Sequence, residues 1–294
     1  MSERGIVVAR HLRHVTVEGE DGRRRICKTA QRRLQPIVAD DVEWRPEPDG
    51  TGTVTRILER KTTLTRVDSR GRCELVAANL SQLVVVVAYA PPPDWFVVDH
   101  YLAAAELADL DALIVLNKID LGDEPITHLD CYRRAGYSVV TASAQEGRGV
   151  DALLDALRGT RSVLVGQSGV GKSSLLNALL GDTVQETGEL TGKGRHGRHT
   201  TSSAVLYRLP NGAEIVDSPG VRGYAPYIED PVSVQRGFRE FRERLGSCRF
   251  DDCRHLAEPD CAVKAALDAG EICRKRYESY ARLYELVVEF RTRH

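Results

Sequence analysis

The sequence predicts three domains in a row: a small N-terminal β-barrel, an α/β domain built on a parallel sheet, and a C-terminal helical domain. Short apolar or alternating runs separated by turn residues fill residues 1–80, as in small barrels. Continuous apolar strands then alternate with helical segments up to about residue 226. The remaining residues form charged, amphipathic segments around a cluster of cysteines. We therefore expect domains at 1–80, 81–226 and 227–294.

Composition and charge are those of an ordinary globular protein. The chain has 294 residues and a formal net charge of −1, so its overall charge does not indicate nucleic-acid binding. The longest apolar runs, such as 83–90, are far shorter than the ~20 residues that span a membrane, and no secretory signal pattern is visible. The seven cysteines are an odd number, and four of them are scattered: Cys27, Cys73, Cys131 and Cys273. We expect a cytoplasmic monomer in a reducing compartment, with no membrane partner and no disulfide framework.

Five short runs predict the strands of the barrel, at 5–9, 14–17, 25–27, 38–44 and 52–58. Up to Pro36 the chain carries nine basic and four acidic residues, and residues 23–33 predict a basic face. Basic barrels of this size commonly bind oligonucleotides, although an ordinary solvated surface has the same composition. Trp44 is the only aromatic residue here suited to base stacking, so phosphate contact is favoured over base recognition.

The α/β domain begins at the apolar run 83–89, which predicts a strand buried on both faces. Further strands are predicted at 112–116, 137–141 and 162–165. Helices are predicted between and after them, at 99–110, 128–135, 149–157 and 174–180. Alternating strands and helices indicate βαβ units and a parallel sheet.

An N-K-x-D element directly follows the second of these strands and consists of Asn117, Lys118, Ile119 and Asp120. The carboxylate of Asp120 can accept two hydrogen bonds from guanine, at N1–H and at the exocyclic amino group, whereas adenine has no such pair of donors. We expect Asn117 to brace neighbouring loops and Lys118 to cover the base or the ribose. The alternative is that Asp120 only caps a helix.

Ser143 and Ala144 follow the next strand and fit an S-A element that contacts guanine O6 through a backbone N–H. This pair is a weak signal by itself. Together with the N-K-x-D element it predicts a guanine-binding edge of the sheet.

A G-x-x-x-x-G-K-S loop lies between a predicted strand and a predicted helix, the context that a phosphate-binding loop requires. Its glycines allow the backbone to wrap the phosphates, and the N–H groups at the helix start point at the anion. Lys172 is expected to place its charge between the β- and γ-phosphates, and Ser173 to bind Mg²⁺. The predicted loop residues are Gly166, Gln167, Ser168, Gly169, Val170, Gly171, Lys172, Ser173 and Ser174.

A D-x-x-G element follows the predicted strand 213–216, with Asp217 and Gly220 as its fixed positions. We expect Asp217 to hold Mg²⁺ through water and the Gly220 N–H to contact the γ-phosphate. The polar, glycine-rich loop 188–201 precedes it and supplies a threonine to Mg²⁺, with Thr201 preferred and Thr200 as the alternative.

The order of these elements is unusual, because the base-selecting elements precede the phosphate and Mg²⁺ elements. An ordinary GTPase has the opposite order. A parallel sheet tolerates this rearrangement when each strand keeps its place, so the sequence predicts a circularly permuted domain.

Three thiols and an imidazole lie within fourteen residues near the C-terminus: Cys248, Cys253, His255 and Cys261. This set suits a structural, tetrahedral Zn²⁺ that stabilises a short segment, although buried thiols beside a surface histidine are the alternative. Helices are predicted at 232–245 and 272–291. They cover the zinc loop or present six arginines to a phosphate backbone: Arg236, Arg239, Arg242, Arg244, Arg274 and Arg276.

With these motifs the chain resembles the RsgA family of circularly permuted, ribosome-associated GTPases over essentially its whole length. The most specific motifs are the phosphate loop, the switch sequence 198–201, the segment 217–221 and the Cys-x4-Cys-x-His-x5-Cys set. The resemblance implies a multi-domain protein with an OB-type β-barrel, a circularly permuted α/β P-loop GTPase domain and an α-helical zinc-binding domain. It also implies GTP hydrolysis that is stimulated by the small (30S) ribosomal subunit, and a role in late maturation of that subunit through its rRNA.

The position that often supplies a residue to orient the attacking water holds an apolar residue here. Val221 stands directly after the D-x-x-G element, where many GTPases have a glutamine, so slow intrinsic turnover is expected. The resemblance assigns this role to a histidine of the first switch loop, which indicates His199, with His196 as the alternative. Two other functions stay open from the sequence: an ATP-using P-loop enzyme, and an RNA-binding zinc and barrel protein with a vestigial nucleotide site.

Overall fold

The computed structural model describes residues 2–67, 71–122, 126–181, 204–218 and 226–293. Within these ranges thirteen strands and six α-helices are assigned, and two sheets contain all of the strands. No helix in the part described combines the length and the apolar character needed to cross a membrane.

The N-terminal strands close into a five-stranded, OB-type barrel. They are β1 (Glu3–Arg10), β2 (Val15–Gly19), β3 (Arg24–Thr29), β4 (Asp41–Pro46) and β5 (Gly52–Ile57). The strand order is β1-β2-β3-β5-β4, and pairing of β4 with β1 closes the barrel. Trp44 fills the barrel core and is fully buried, so it cannot stack on a base as a surface aromatic residue would.

The predicted basic face of the barrel is partly neutralised. Arg24 pairs with Glu18 and Arg25 with Asp21, at 3.0 and 2.8 Å. The exposed cations that remain between residues 23 and 33 are Arg23, Lys28, Arg32 and Arg33. The barrel therefore keeps a smaller basic surface than its composition indicates.

A separate hairpin follows the barrel and was not predicted. It consists of β6 (Thr63–Val67) and β7 (Cys73–Ala78), which form a two-stranded antiparallel sheet of their own. Leu64, Val76 and Ala77 are buried in the same hydrophobic cluster as the strands of the α/β domain. The barrel strands thus end at Ile57, and the expected division at residues 80 and 226 stays a prediction.

The central sheet has the order β10-β9-β8-β11-β13-β12. Its strands are β8 (Gln82–Ala88), β9 (Asp111–Asn117), β10 (Ser138–Thr141), β11 (Arg161–Val165), β12 (Ala204–Arg208) and β13 (Glu214–Asp217). All neighbouring pairs are parallel except β12 with β13. Because β12 also pairs with β1, the barrel and the central sheet are continuous through eleven strands.

Helices cover both faces of this sheet, as the uninterrupted apolar strands predict. The four helices are α1 (Trp95–Leu107), α2 (His128–Arg134), α3 (Val150–Ala156) and α4 (Lys172–Leu180). Leu83, Val85 and Val87 face the first cluster, with residues of α1 and α2. The alternate residues Val84, Val86 and Ala88 face the second cluster, with α3 and α4. Strand β8 therefore buries both of its faces.

Helix α1 begins four residues before the predicted start. The carboxylate of Asp94 accepts hydrogen bonds from the backbone N–H groups of Phe96 and Val97, at 3.1 and 3.4 Å. This N-cap satisfies donors at the first turn and fixes the beginning of the helix.

The C-terminal domain contains two α-helices, α5 (Ala262–Asp268) and α6 (Arg274–Arg293). The continuous helix predicted over 232–245 is wrong: 3₁₀ helices occupy Pro231–Gly237 and Arg239–Arg244. Phe238 separates them in an extended conformation and buries its ring against Phe241 and Tyr280. Packing of this aromatic residue therefore prevails over the helical pattern.

The C-terminal domain packs on α1 through a buried ion cluster. Arg276, fully buried, pairs with Asp99 of α1 at 2.7 Å and with Glu240 at 2.7 Å. Arg239 and Arg242 both pair with Glu106 of α1. Of the two sequence alternatives, presentation of all six arginines to a phosphate backbone does not hold for these three, because they pair with acidic residues of α1.

One pair of cysteines also differs from the sequence prediction. Cys131 on α2 and Cys273, just before α6, form a disulfide between the α/β and C-terminal domains. The sequence pattern predicted no disulfide framework and did not indicate this single pair.

Candidate nucleotide site and metal centre

The candidate nucleotide site lies where three parallel strands end side by side. Ala88 of β8 pairs with Asn117 of β9, and Val85 of β8 pairs with Val165 of β11. Since parallel strands share one carboxyl edge, the loops that follow β8, β9 and β11 meet there.

The phosphate-binding loop has a backbone that only glycine allows at two positions. Gly166 has φ +139°, and a Cβ there would lie 2.2 Å from the carbonyl oxygen of Val86. Gly171 has φ +94°, and a Cβ there would lie 2.3 Å from the side-chain nitrogen of Asn117. The loop therefore passes directly over β8 and the N-K-x-D element.

Lys172 begins α4 and turns its side chain back over the loop. Its ammonium donates to the carbonyl oxygens of Gly166 and Gln167, both at 2.7 Å. Ser168 is exposed on the loop, and Ser173 and Ser174 are exposed in the first turn of α4. The ammonium and the start of a helix thus meet at one point, an arrangement that suits an anion.

Asn117 connects the phosphate loop to the loop after β10. Its buried side-chain amide donates to the carbonyl oxygen of Val170 at 2.9 Å. Its side-chain oxygen accepts from the backbone N–H of Ala144 at 3.2 Å. One side chain therefore sets the distance between the predicted phosphate-binding segment and the predicted base-binding segment.

Lys118 makes a second connection between the same segments. Its ammonium donates to the carbonyl oxygens of Ala90 and Gly169, at 2.7 and 2.6 Å. Lys118 itself has φ +60°, which directs the chain into the 3₁₀ turn of Ile119–Leu121. No sequence signal indicated that this lysine would hold the phosphate loop.

Asp120 lies on this turn and is held by Ser143. The hydroxyl of Ser143, which is fully buried, donates to the carboxylate of Asp120 at 2.5 Å. This hydrogen bond, with smaller contributions from the charges of Arg148 and Lys118, lowers the pKa of Asp120. The carboxylate is thus ionised and oriented at neutral pH, the state that accepts two donors.

The candidate Mg²⁺ residues that the structure describes lie together. Lys172, Ser173, Asp217 and Ser218 line one small cleft. Strand β13 places Asp217 there, because it runs parallel to β11 with Val216 opposite Val163. Thr200, Thr201, Gly220, Val221 and both candidate histidines, His196 and His199, lie outside the described residues.

The C-terminal metal-ligand set converges as its spacing predicts. The four ligand atoms of Cys248, Cys253, His255 and Cys261 all lie within 4.8 Å of one another. The Cys248 and Cys261 sulfurs are 3.9 Å apart, and His255 Nδ1 lies 3.5 and 3.3 Å from them. Zinc–ligand bonds of about 2.3 Å to sulfur and 2.0 Å to nitrogen give tetrahedral edges of roughly 3.8 and 3.5 Å. The arrangement could therefore hold a metal ion of this kind.

A partner on the far side of the imidazole fixes which nitrogen faces the sulfurs. His255 Nε2 lies 2.7 Å from the side-chain oxygen of Gln235. Outer hydrogen bonds of this kind orient metal-binding histidines. Gln235 lies on the first 3₁₀ helix and was not singled out from the sequence.

Comparison with known proteins identifies the family. A sequence model described as RsgA GTPase matches residues 57–225. The chain belongs to the RsgA GTPase family. It is therefore a GTPase, and the resemblance seen in its motifs is confirmed.

Relatives of this RsgA-family GTPase cover nearly its whole length. The small ribosomal subunit biogenesis GTPase RsgA of Chromohalobacter salexigens is 42% identical over 289 residues, 96% of this chain and 85% of that protein. The protein of the same name from Pectobacterium carotovorum is 38% identical over 303 residues, 99% of this chain and 87% of that protein.

Solved structures share the fold. YjeQ from Thermotoga maritima matches with a TM-score of 0.79 and 34% identity, covering 98% of this chain and 99% of that chain. YloQ, described as a circularly permuted GTPase, matches with a TM-score of 0.76 and 25% identity, covering 98% of this chain and 96% of that chain. The permuted order predicted from the motifs is thus confirmed.

Proposed function

We propose that GTP binds across the carboxyl edge of β8, β9 and β11, with its base at Asp120 and its phosphates at Lys172. The observation that supports this most strongly is the double hydrogen bonding of Asn117, to the phosphate loop and to the loop after β10. A fixed distance between the base and phosphate sites is what a nucleotide of one length requires.

Recognition of guanine follows from the environment of Asp120. An oriented carboxylate accepts from guanine N1–H and from the exocyclic amino group, and the Ala144 N–H approaches O6. ATP lacks this donor pair, so ATP is a poor ligand. The other residues of the proposed GTP site line it or brace the loops that form it: Asn117, Lys118, Ile119, Ser143, Gly166, Gln167, Ser168, Gly169, Val170, Gly171, Ser173 and Ser174.

Mg²⁺ binds with GTP in this proposal. Ser173 and Thr201 are its protein ligands, and Asp217 holds it through water. An ion held there would supply positive charge beside the phosphates. The N–H of Gly220 contacts the γ-phosphate, and the charge of Lys172 stabilises the transition state for phosphoryl transfer.

Zn²⁺ is the proposed metal of the C-terminal cluster, one per chain. Three thiolates and one imidazole complete a tetrahedron, so no position is left for a substrate or a water. The role is structural, and it stabilises a domain whose two 3₁₀ helices supply little regular hydrogen bonding.

The activity that we propose is GTP hydrolysis stimulated by the small (30S) ribosomal subunit during late maturation of that subunit. Two relatives carry that subunit in their names, and the exposed cations of the barrel suit rRNA phosphates. His199 orients the attacking water, with His196 as the alternative. The protein acts as a monomer in the cytoplasm, and its nucleotide state controls its affinity for the subunit.

The experiment that tests this function is GTP turnover with and without purified small subunits, at two salt concentrations. Stimulation by subunits that weakens at higher salt is expected, because phosphate contacts release counterions. An ATPase activity exceeding the GTPase activity, or equal turnover in both arms at low salt, would contradict it. Binding of the protein to subunits is also measured in the presence of GDP and of a non-hydrolysable GTP analogue. Equal affinities would contradict the proposal that the bound nucleotide controls subunit binding.

A further inference from the structure

The Cys131–Cys273 pair is not explained by GTP hydrolysis. We propose that it is a reversible redox clasp, a disulfide that joins α2 of the GTPase domain to the residue directly before α6 of the zinc domain. The bond connects residues 142 apart in the chain, and it is the one disulfide among the residues that the structure describes.

The two sulfurs are held face to face by contacts that do not depend on the bond. Cys273 lies three residues before Arg276, which pairs with Asp99 and Glu240, and Cys131 is next to Tyr132. The guanidinium carbon of Arg276 lies 5.3 Å from the centre of the Tyr132 ring. The Cα atoms of the cysteines are 5.7 Å apart, a separation typical of disulfides. The bond can therefore form and break without moving the domains first.

Both cysteines are accessible, which a reversible clasp requires. Cys131 and Cys273 are half-buried, whereas Cys27 is buried in the barrel core. A guanidinium nitrogen of Arg134 lies 3.8 Å from the Cys131 sulfur, and the exposed cations Arg274 and Lys275 directly follow Cys273. The thiolate is the form that attacks a disulfide.

The chemistry is ordinary thiol–disulfide exchange with a small-molecule disulfide such as oxidised glutathione. The Cys131 thiolate attacks one sulfur of the small disulfide and expels the other as a thiolate, which forms a mixed disulfide. The Cys273 thiolate then attacks the Cys131 sulfur and expels the second small thiolate. Two protein thiols are oxidised, and one small disulfide is reduced to two thiols.

The clasp restricts motion of the zinc domain against α1 and α2. In a reducing compartment the pair is open, and disulfides that form there are typically transient and redox-sensing. Its effect on activity rests on the proposed function, in which nucleotide state moves the zinc domain. Closing the clasp would then lower subunit-stimulated turnover, while the crosslink itself depends only on the geometry of the two thiols.

Mass spectrometry tests the clasp itself on the full-length protein. The chain is reduced with a phosphine, exposed to oxidised glutathione, blocked with N-ethylmaleimide and digested. We expect one linked peptide pair, Cys131 with Cys273, in the wild type and in the control Cys73→Ser, and none in Cys131→Ser. Cysteines that stay fully alkylated, or crosslinks spread over other pairs, would overturn the proposal.

Hydrogen exchange tests what the clasp does, without reference to GTP or ribosomes. Backbone amides of α6 are expected to exchange roughly tenfold more slowly in the oxidised wild type than in the reduced wild type. Cys131→Ser, given the same oxidant, should show no change, and zinc content is measured to exclude damage to the metal cluster. Equal exchange in oxidised and reduced wild type would overturn the clasp. If small subunits do not stimulate GTP hydrolysis by the reduced protein, the proposed function alone would be overturned.

Discussion

The side-chain amide of Asn117 donates to the carbonyl oxygen of Val170 at 2.9 Å and so joins segments that are 53 residues apart. One segment leads to Asp120, the proposed base-selecting carboxylate, and the other leads to Lys172, the proposed phosphate-binding lysine. Because Asp120 follows β9 and Lys172 follows β11, the parallel strands on either side of β8, this contact sets the distance across the proposed nucleotide site.

Replacing Asn117 with Ala should weaken GTP binding by about tenfold or more and destabilise the fold by about 1–3 kcal/mol. The change leaves the buried Val170 carbonyl oxygen and the half-buried Ala144 N–H without their partner. Titration with a fluorescent GTP analogue and thermal unfolding measure the two effects. Asn177→Ala on the exposed side of α4 is the matched control, and equal effects of the two changes would refute the bracing role.

Replacing Ser143 with Ala should make GTP binding more sensitive to acid. The Ser143 hydroxyl is the main reason that the pKa of Asp120 is lowered, so its loss raises that pKa. A lowered pKa keeps the carboxylate charged, and binding is lost only as the pH falls through that value. The GTP affinity of Ser143→Ala should therefore decline at a higher pH than that of wild type. Ser138→Ala, exposed at the start of β10, should keep the wild-type profile.

Replacing Arg276 with Ala should destabilise the protein by about 3–5 kcal/mol, because Asp99 and Glu240 lose the buried cation that both of them face. Denaturant unfolding measures the change. The neighbouring exposed Arg274→Ala should have little effect. If both variants unfold alike, the ion cluster does not hold the two domains together.

Purified protein should contain one zinc per chain, and a strong chelator should unfold the C-terminal domain. The thiolate and imidazole donors converge at tetrahedral distances, and metal binding then contributes folding free energy. Metal analysis and far-UV circular dichroism before and after chelation follow both effects. Cys248→Ser should lose the metal and the exposed Cys73→Ser should keep it; equal zinc content in the two variants would exclude this site.

Replacing His199 with Ala should lower subunit-stimulated kcat and leave GTP affinity nearly unchanged, because the residue is invoked only in the transition state. Single-turnover hydrolysis with saturating small subunits measures the first effect. His196→Ala is the matched variant in the same loop. A larger loss of kcat in His196→Ala would assign the role to that residue, and a parallel loss of affinity would indicate a structural role.

Local patterns predicted most of the fold and of the candidate site. The phosphate loop, the N-K-x-D element and the metal ligands are short motifs whose spacing carries their chemistry, and β8 was recognisable from its continuous apolar run. Contacts between distant segments, by contrast, have no short motif in the sequence that predicts them. Three features depend on which distant segments the fold brings together. They are the pairing of Cys131 with Cys273, the burial of Arg276, and the hydrogen bond from Lys118 to Gly169. The 3₁₀ helices at 231–244 escaped prediction because burial of Phe238 prevails over a helical pattern.

The central claim is that Asp120 and Lys172 bind opposite ends of one GTP molecule. It is tested most directly by the affinities of Asp120→Asn for GTP and for XTP, with Lys172→Ala alongside. Xanthine carries a carbonyl acceptor where guanine carries an amino donor, so an asparagine amide matches xanthine and not guanine. Asp120→Asn is expected to lose roughly hundredfold in GTP affinity and to prefer XTP, while Lys172→Ala is expected to bind both nucleotides more weakly. Wild-type GTP affinity in Asp120→Asn would contradict it.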